Sequence, residues 1–419
     1  MNRTKRFNIL EFIIFFLLIL YISNTAAVCF NENFSRIVTV IFGCIFIIKK
    51  KKIDAIAILI CIFWLFINIL YSIFHYVDFS INKIIGYLLP FIITYTGYKC
   101  IDGDFFKKFE KWIYILTTIS LAIYVLQLAT GGLFNTLSPI FGKYIADFYS
   151  DASPNAWYIF IYTYNPFAYS NILTRNSGFM WEPGGFALIC TFGLLYRHLK
   201  YGKQITFQTV IYIIAIVSTL STAGYIALML YFILYVTNSK NVFKWIFFTG
   251  IFIFIIPVIY KFEFVSDKIN GYMLNVNESS YNPRYDGYEY NRFSIFLINL
   301  KNLIEFPIGY GVYEAKDFYG HSFIGVNGIA TFARMWGVIG FIFSIISIFK
   351  TFKLFNKSNN WLSIVIAFSS ITVMFFSNPI ERSPLIYLLI TYPYIVHKQC
   401  KQKTYQGYRL SAPLPSPKD

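Results

Sequence analysis

Charge is what this chain has least of. Only 13% of its 419 residues are charged, whereas 57% are hydrophobic, and the mean hydropathy is +0.56. Soluble domains carry about 25% charged residues, so this composition excludes a soluble globular protein and predicts an integral membrane protein. Cysteine is scarce too. Cys29, Cys44, Cys61, Cys100, Cys190 and Cys400 lie in or beside apolar runs and never as CxxC, which argues against a disulfide framework or a zinc site. There is no Walker loop, GxSxG elbow, HExxH pair or internal repeat, so the usual soluble nucleotide and hydrolase chemistries have no foothold. The run from Phe7 to Ala27 lacks a small-x-small cleavage site and is too long for a signal peptide, which predicts a retained first helix.

What is present is a succession of apolar windows of membrane-spanning length. They predict an all-α polytopic membrane protein of about twelve transmembrane helices, near 7–28, 34–48, 53–74, 83–99, 112–130, 183–197, 205–220, 222–237, 244–260, 322–349, 361–377 and 384–397. Two long segments, about 131–181 and 261–321, separate them, and the proline-rich tail 404–419 is expected to be disordered.

The net charge of +16 is concentrated in short segments beside apolar runs. That pattern orients helices in a bilayer and does not make a solvated face for nucleic acid. With both termini inside, 24 of the 36 lysines and arginines fall on inner segments, among them Lys49–Lys52, Lys107, Lys108, Arg197 and Lys200. The two long segments then face outward. Both are dense in tyrosine and phenylalanine, which suits an interfacial belt or stacking on sugar rings, and implies partial order over the helices.

The outer segments hold the candidate chemistry. The first ends in RNSGFMWEPGGFA (175–187). Pro183 suits a first helical position, which places Glu182 at or next to the N-cap, a structural position for a carboxylate. The functional alternative has Glu182 and Arg175 bordering an outward cavity, with Gly184 and Gly185 opening the backbone to a ligand. The second supplies Arg284, Arg292, His321 and Arg334. Arg292 opens NRFSIFLINLKNLIEF, a predicted helix whose apolar face (Phe293, Phe296, Leu297, Leu300, Leu303, Ile304) could lie flat on a membrane, ending at Pro307–Gly311. A cation at a helix start is disfavoured by the dipole, so Arg292 calls for an anionic ligand or a carboxylate partner. His321 stands just before a long span, as base or bystander. Arg334 either snorkels from its helix or binds ligand. Asp102-Gly103-Asp104 imitates a metal-diphosphate DxD pair but sits in a short inner loop with no nucleotide domain, and is read as a decoy. Glu11 is read as structural.

These stretches, RNSGFMWEPGGFA, NRFSIFLINLKNLIEFPIGYG and HSFIGVNGIATFARMWGVIG, resemble the bacterial O-antigen polymerase and O-antigen ligase superfamily of multi-span glycosyltransferases. The resemblance implies a GT-C-like membrane fold and a metal-independent transfer, with no cofactor, from an undecaprenyl-diphosphate-linked glycan at the outer face of the cytoplasmic membrane. It further implies diphosphate or glycan binding by Arg175, Arg292, Arg284 and Arg334, and activation of the acceptor by Glu182 or His321. A separate chain-length regulator is an implied partner. The EPGGFA stretch is more similar to the polymerases, and the interval between His321 and Gly337 is longer than in the ligases. A ligase, and a non-enzymatic lipid-linked oligosaccharide flippase with short outer loops, are the alternatives.

Overall fold

Small polar residues start several of the helices. Ser80, Asp104, Thr206, Asn327 and Asn360 each accept a hydrogen bond from the first turn of the helix that follows, satisfying one of the N–H groups a helix leaves over. The computed structural model describes residues 9–23, 32–131, 133–141, 157–164, 174–202, 205–237, 280–282, 287–324, 327–358, 360–380 and 383–396. Within them run α1 (Ile9–Ile22), α2 (Glu32–Ile48), α3 (Ala55–His75), α4 (Ile81–Cys100), α5 (Phe105–Thr130), α6 (Pro183–Tyr201), α7 (Phe207–Ser218), α8 (Thr222–Thr237), α9 (Arg292–Glu305), α10 (Gly328–Phe355) and α11 (Trp361–Ser377), then α12 (Pro384–Val396). The predicted span 244–260, the residue Arg284 and the tail 404–419 lie outside the described residues.

Three helices, Ala55–His75, Phe105–Thr130 and Gly328–Phe355, are long and apolar enough to cross a membrane, and shorter apolar helices accompany them. The chain is by this measure a helical membrane protein. Ile58, Leu59, Ile62, Leu65, Phe66, Ile69 and Ile73 of α3 face outward, as a helix in contact with lipid requires. Since lipid is as apolar as these side chains, association depends on close packing. It is found among aromatic rings joining α5, α6, α10 and α12. Phe106 lies 4.7 Å from Tyr392 and 4.8 Å from Phe355, centroid to centroid, and Tyr196 lies 4.9 Å from Phe355.

Ion pairs gather where the lysine-rich segments lie. Asp102 binds both Lys49 and Lys51, Lys99 binds Asp54, Lys108 binds Glu11, Arg197 binds Glu110 and Lys200 binds Asp104. Asp104 also caps α5. Both carboxylates of the DxD-like pair are thus engaged structurally, as is Glu11.

The first long segment contributes a hairpin, β1 (Trp157–Ile159) paired antiparallel with β2 (Tyr162–Tyr164), Trp157 opposite Tyr164. Three aromatics of this hairpin turn inward and not toward lipid or a ligand. Trp157, Tyr162 and Tyr164 are buried with Tyr124 and Phe134 in a small core of their own, because the Trp157 indole N–H reaches the Phe134 carbonyl (2.8 Å) and the Tyr162 hydroxyl reaches Gln127. The second segment forms a sheet of β3 (Ser280–Asn282), β4 (Gly287–Glu289) and β5 (Phe323–Ile324), antiparallel between the first two and parallel between the last two.

α9 packs along α10 and leaves part of its apolar stripe facing outward, in keeping with a helix that lies against a membrane. Ile295, Ile298, Asn299 and Asn302 are buried, while Phe293, Leu300 and Ile304 are exposed. The asparagine side chains explain how the opposite face is buried. Those of Asn299 and Asn302 donate to the Ile295 and Ile298 carbonyls, and Asn302 also to the Lys316 carbonyl, so they are satisfied inside and the apolar stripe is left to face outward.

α10, expected to be continuous, breaks at Gly337, whose φ of 68° and ψ of 175° are non-helical. The broken turn is re-paired by the Pro307–Gly311 turn that follows α9. Tyr310 N–H donates to the Arg334 carbonyl (2.9 Å), Gly311 N–H to the Met335 carbonyl (3.0 Å), and Val338 N–H to the Pro307 carbonyl (2.9 Å). A side chain at Gly337 would collide with the Ile308 carbonyl, and one at Gly309 would lie 2.6 Å from the Gly337 nitrogen. Gly337→Ala therefore combines a left-handed φ with a backbone clash, and is expected to destabilise the protein by about 3 kcal/mol or more. Gly43→Ala, where an added carbon meets nothing within 4 Å, is expected to be neutral or stabilising by up to about 1 kcal/mol. Thermal melting in detergent compares the two.

Candidate functional site

The segment 174–182, ahead of α6, is anchored on every side by its own backbone. Tyr124 O–H donates to the Thr174 carbonyl (2.7 Å), Thr163 N–H of the hairpin to the Gly178 carbonyl (2.6 Å), and Trp181 N–H to the Ser23 carbonyl at the end of α1 (2.9 Å). Asn176 is fully buried. Its N–H donates to the Ser218 carbonyl (3.0 Å), its side-chain amide to the Ser218 hydroxyl (2.9 Å), and its Oδ1 accepts from Gly178 N–H (2.8 Å). Arg175 next to it sends Nε to the Thr219 carbonyl at 3.0 Å. Thr219 is the C-cap of α7, so the guanidinium rests on the negative end of a helix dipole.

Glu182 is the N-cap of α6, with Pro183 in the first helical position, but its carboxylate does not cap the helix. That carboxylate and the first-turn N–H groups of Gly184 and Gly185 are therefore disposed beside each other without being paired as a cap. Burial pushes the Arg175 pKa down, the Glu182 charge opposes this, and the positive charge of Arg292 adds to it. Glu182 and Arg292, from two segments far apart in the chain, thus both lie within electrostatic range of Arg175.

Arg292 reaches this environment through two asparagines. Asn291 is the N-cap of α9 and accepts from Ser294 N–H at 2.9 Å. Arg292 itself has no part in the cap. Asn327, fully buried, caps α10 by accepting from Ala330 N–H (3.0 Å) and donates its side-chain amide to the Arg292 carbonyl (3.1 Å). Beyond it, Gly328 packs on the carbonyls of Phe375 and Asn378 at the end of α11. Asn378 in turn packs against α6: a carbon added at Gly184 would lie 2.8 Å from Asn378 Oδ1 and 3.6 Å from Glu182 Oε1. The Asn378 side chain is 2% exposed and its amide is oriented by donation to the Met374 carbonyl (2.7 Å). Its Oδ1 has no hydrogen-bond partner among the described residues. Asn327 and Asn378 escaped sequence reasoning. The only sign of Asn327 was an N-cap residue type ahead of a helix, and Asn378 carried none.

The other candidates are placed elsewhere. Arg334 does not snorkel. It is 9% exposed, its Nη1 donates to the Tyr313 carbonyl at 3.1 Å, and its guanidinium lies 5.5 Å from the centre of the Tyr310 ring. It ties the docked turn to α10. The His321 side chain is 53% exposed, with Nδ1 3.6 Å from Asp317 Oδ2 and the ring packed against Tyr288 at 5.0 Å. Asp317, which sequence reasoning passed over, organises this loop. Its Oδ1 accepts the N–H groups of Tyr319 and His321, both at 2.8 Å, and its Oδ2 accepts the Tyr290 hydroxyl at 2.8 Å. Burial raises the Asp317 pKa, but the hydrogen bonds from His321, Tyr290 and Tyr319 outweigh it and hold the carboxyl below its ordinary value. Among the described residues no three His, Cys, Asp or Glu side chains come together as a metal site.

Two expectations follow for this loop. With its folded pKa depressed, Asp317 contributes stability above the unfolded carboxylate pKa of about 3.9, and this is lost as pH falls from there through the folded value. Limited proteolysis of the 306–324 loop is thus expected to quicken below about pH 4. In Asp317→Asn the loop is expected to be more readily cleaved at neutral pH and to show a weaker acid dependence, since an amide keeps only part of the acceptor set. Peptide mapping after brief protease exposure across pH checks both.

No family model, no curated protein and no solved structure matches this chain.

Proposed function

We propose that this chain is a polymerase of undecaprenyl-diphosphate-linked oligosaccharide repeat units. In this reading it is a metal-independent glycosyltransferase of about twelve transmembrane helices in the bacterial cytoplasmic membrane, with both termini cytoplasmic. The polymer is an O-antigen, capsule or exopolysaccharide. What supports the reading is the proximity of Arg175 to both Glu182 and Arg292, together with the resemblance of the stretches that hold them. Two guanidiniums with a carboxylate beside them, among the described residues, carry net positive charge, which suits a diphosphate. Arginine stays charged when desolvated and binds phosphate oxygens in pairs.

In this mechanism the acceptor hydroxyl oxygen attacks the anomeric carbon of the donor sugar. The bond from that carbon to the diphosphate breaks, and undecaprenyl diphosphate departs with the electron pair. Arg175 and Arg292 hold the departing oxygens, where fixed positive charge is most valuable because negative charge develops there in the transition state. The hydroxyl proton goes to Glu182, whose carboxylate is not committed to capping α6. Asn327 positions Arg292 through its carbonyl. His321, with Asp317 behind it, is the second candidate base. It belongs to the β4–β5 side of the loop, whereas the proximity of Arg175 favours Glu182. Arg334 serves the scaffold of the docked turn. A chain-length regulator is the protein partner this reading implies.

The test is complementation of a deletion strain, scored by polymer ladder at matched protein level. Arg292→Ala and Arg175→Ala are each expected to lower polymerisation by about 10²-fold or more, and Glu182→Gln by about 10²- to 10⁴-fold, each leaving a single repeat on its acceptor. Full ladders from Arg292→Ala remove that residue from the mechanism. Finished polymer stranded on the lipid carrier in the deletion strain identifies a ligase instead.

A further inference from the structure

At the lysine-rich end of the bundle, opposite the site just described, a cavity of about 320 Å³ opens between the last turn of α6, the first turn of α7 and the side of α8. Its walls are Arg197, His198, Tyr201, Thr206, Gln208 and Tyr231, with Thr209 and Gly202 completing them. Nothing in the proposed transfer uses them.

The cavity is rich in donors. Arg197 is held from two directions: Nη1 pairs with Glu110 Oε1 at 3.2 Å and Nη2 donates to the Thr206 hydroxyl at 3.3 Å. Its Nε is buried with no hydrogen-bond partner among the described residues. The part of the guanidinium that stays accessible therefore faces an incoming anion with its charge held in place. Glu110 Oε1 also accepts the Tyr212 hydroxyl at 3.2 Å, and the contacts of Arg197 with Glu110 and Thr206 engage only part of its five-donor fork. Thr206 and Thr209 form a capping box at the start of α7. The box does not use the N–H of Gln208, so a helix N-terminus adds a donor and a positive dipole. The Tyr201 and Tyr231 hydroxyls and the Gln208 amide complete the set. Nearby Lys200 pairs with Asp104 at 3.0 Å, and Lys357 N–H donates to the Leu199 carbonyl at 3.1 Å, bringing the next basic loop against the same helix end. Beside the mouth, Ile205 and Phe207 are 57% and 71% exposed, an apolar ledge on which acyl chains can rest.

We propose that this cavity binds a phosphate group, drawn from the headgroup of an anionic phospholipid in the adjoining leaflet or from soluble phosphate. The size favours a phosphate ester over a bare halide, and basic pockets between helix ends at the inner face suit phospholipid headgroups. Arg197 and the amide end of α7 supply the anion contacts, and Gln208 stands at the lip.

The full chain purified in non-ionic detergent tests this by native mass spectrometry and thermal melting. The probes are phosphatidylglycerol, diacylglycerol (the same chains without phosphate) and inorganic phosphate. The wild type is expected to retain phosphatidylglycerol and melt at higher temperature with it, and to gain nothing from diacylglycerol. Gln208→Glu places a carboxylate at the lip and is expected to weaken phosphatidylglycerol binding about tenfold or more, on the scale of one charge-assisted hydrogen bond, with lipid-free melting unchanged or slightly raised by the helix dipole. Arg197→Lys is expected to weaken binding while preserving the pair with Glu110, so folding and binding are read separately. Protection of the wild type, but not of Gln208→Glu, by inorganic phosphate alone supports the site and assigns it a soluble source. Equal binding of phosphatidylglycerol and diacylglycerol, or binding unaffected in both variants, overturns the proposal.

Discussion

A broken helix in a membrane protein has to re-pair the backbone groups it releases, because hydrocarbon offers them no water. The rest of this structure hangs on how α10 meets that demand at Gly337. The Pro307–Gly311 turn supplies the missing donors and acceptor, and Arg334 reinforces the joint by binding the Tyr313 carbonyl. α9 is consequently held at both ends. Its C-terminus runs into the docked turn and its N-terminus is tied by Asn327 to the start of the same α10. The position of Arg292 follows from that two-point attachment, with no need for a helix cap of its own.

The first outer segment reaches the same place by a different route. It has no broken helix to fill, and relies on buried Asn176, on the C-terminal carbonyl of α7 under Arg175, and on the β1–β2 hairpin. The two routes meet through packing around Gly184, Gly328 and Asn378, where any larger side chain would hold the helices apart. The close approach of α6, α10 and α11 is therefore also what brings a carboxylate from one segment toward an arginine from the other. In physical terms the scaffold concentrates cost at one spot. Glu182 Oε1 and Asn378 Oδ1, the latter without a hydrogen-bond partner among the described residues, lie beside Gly184, and Arg175 and Arg292 carry like charges within electrostatic range.

Hydropathy made much of the architecture legible, since a 3.6-residue stripe and an apolar window are local properties. α1 to α8 and α10 to α12 lie where the windows put them, and the helix over α9 was visible with its start at Arg292. What the pattern could not show were features decided by distant partners. The break at Gly337 depends on a turn some thirty residues away, although both motifs stood out as PIGYG and GVIG. The burial of Asn299 and Asn302 on the inner face of α9 depends on carbonyls that accept from them, one of them Lys316 in the following loop. Of the candidate residues, Arg175 lies within electrostatic range of Glu182 and Arg292, Arg334 binds the carbonyl of Tyr313 beyond the docked turn, and His321 sits in a loop ordered by Asp317. Arg284 lies outside the described residues. Asn327 and Asn378 were invisible because nothing local distinguishes an asparagine that positions an arginine from one that caps a helix.

The central claim is that Arg175 and Arg292 act on one anion. Binding of a short-chain polyprenyl diphosphate to the purified protein measures this directly, in the wild type, in Arg175→Gln, in Arg292→Gln and in the double variant. Two arginines sharing one diphosphate predict that each single substitution weakens binding about tenfold or more. They also predict that the double variant loses less than the two single losses combined, as groups in contact through one ligand are not additive. Binding that is unchanged in either single variant, or losses that add fully as for independent sites, would contradict the account.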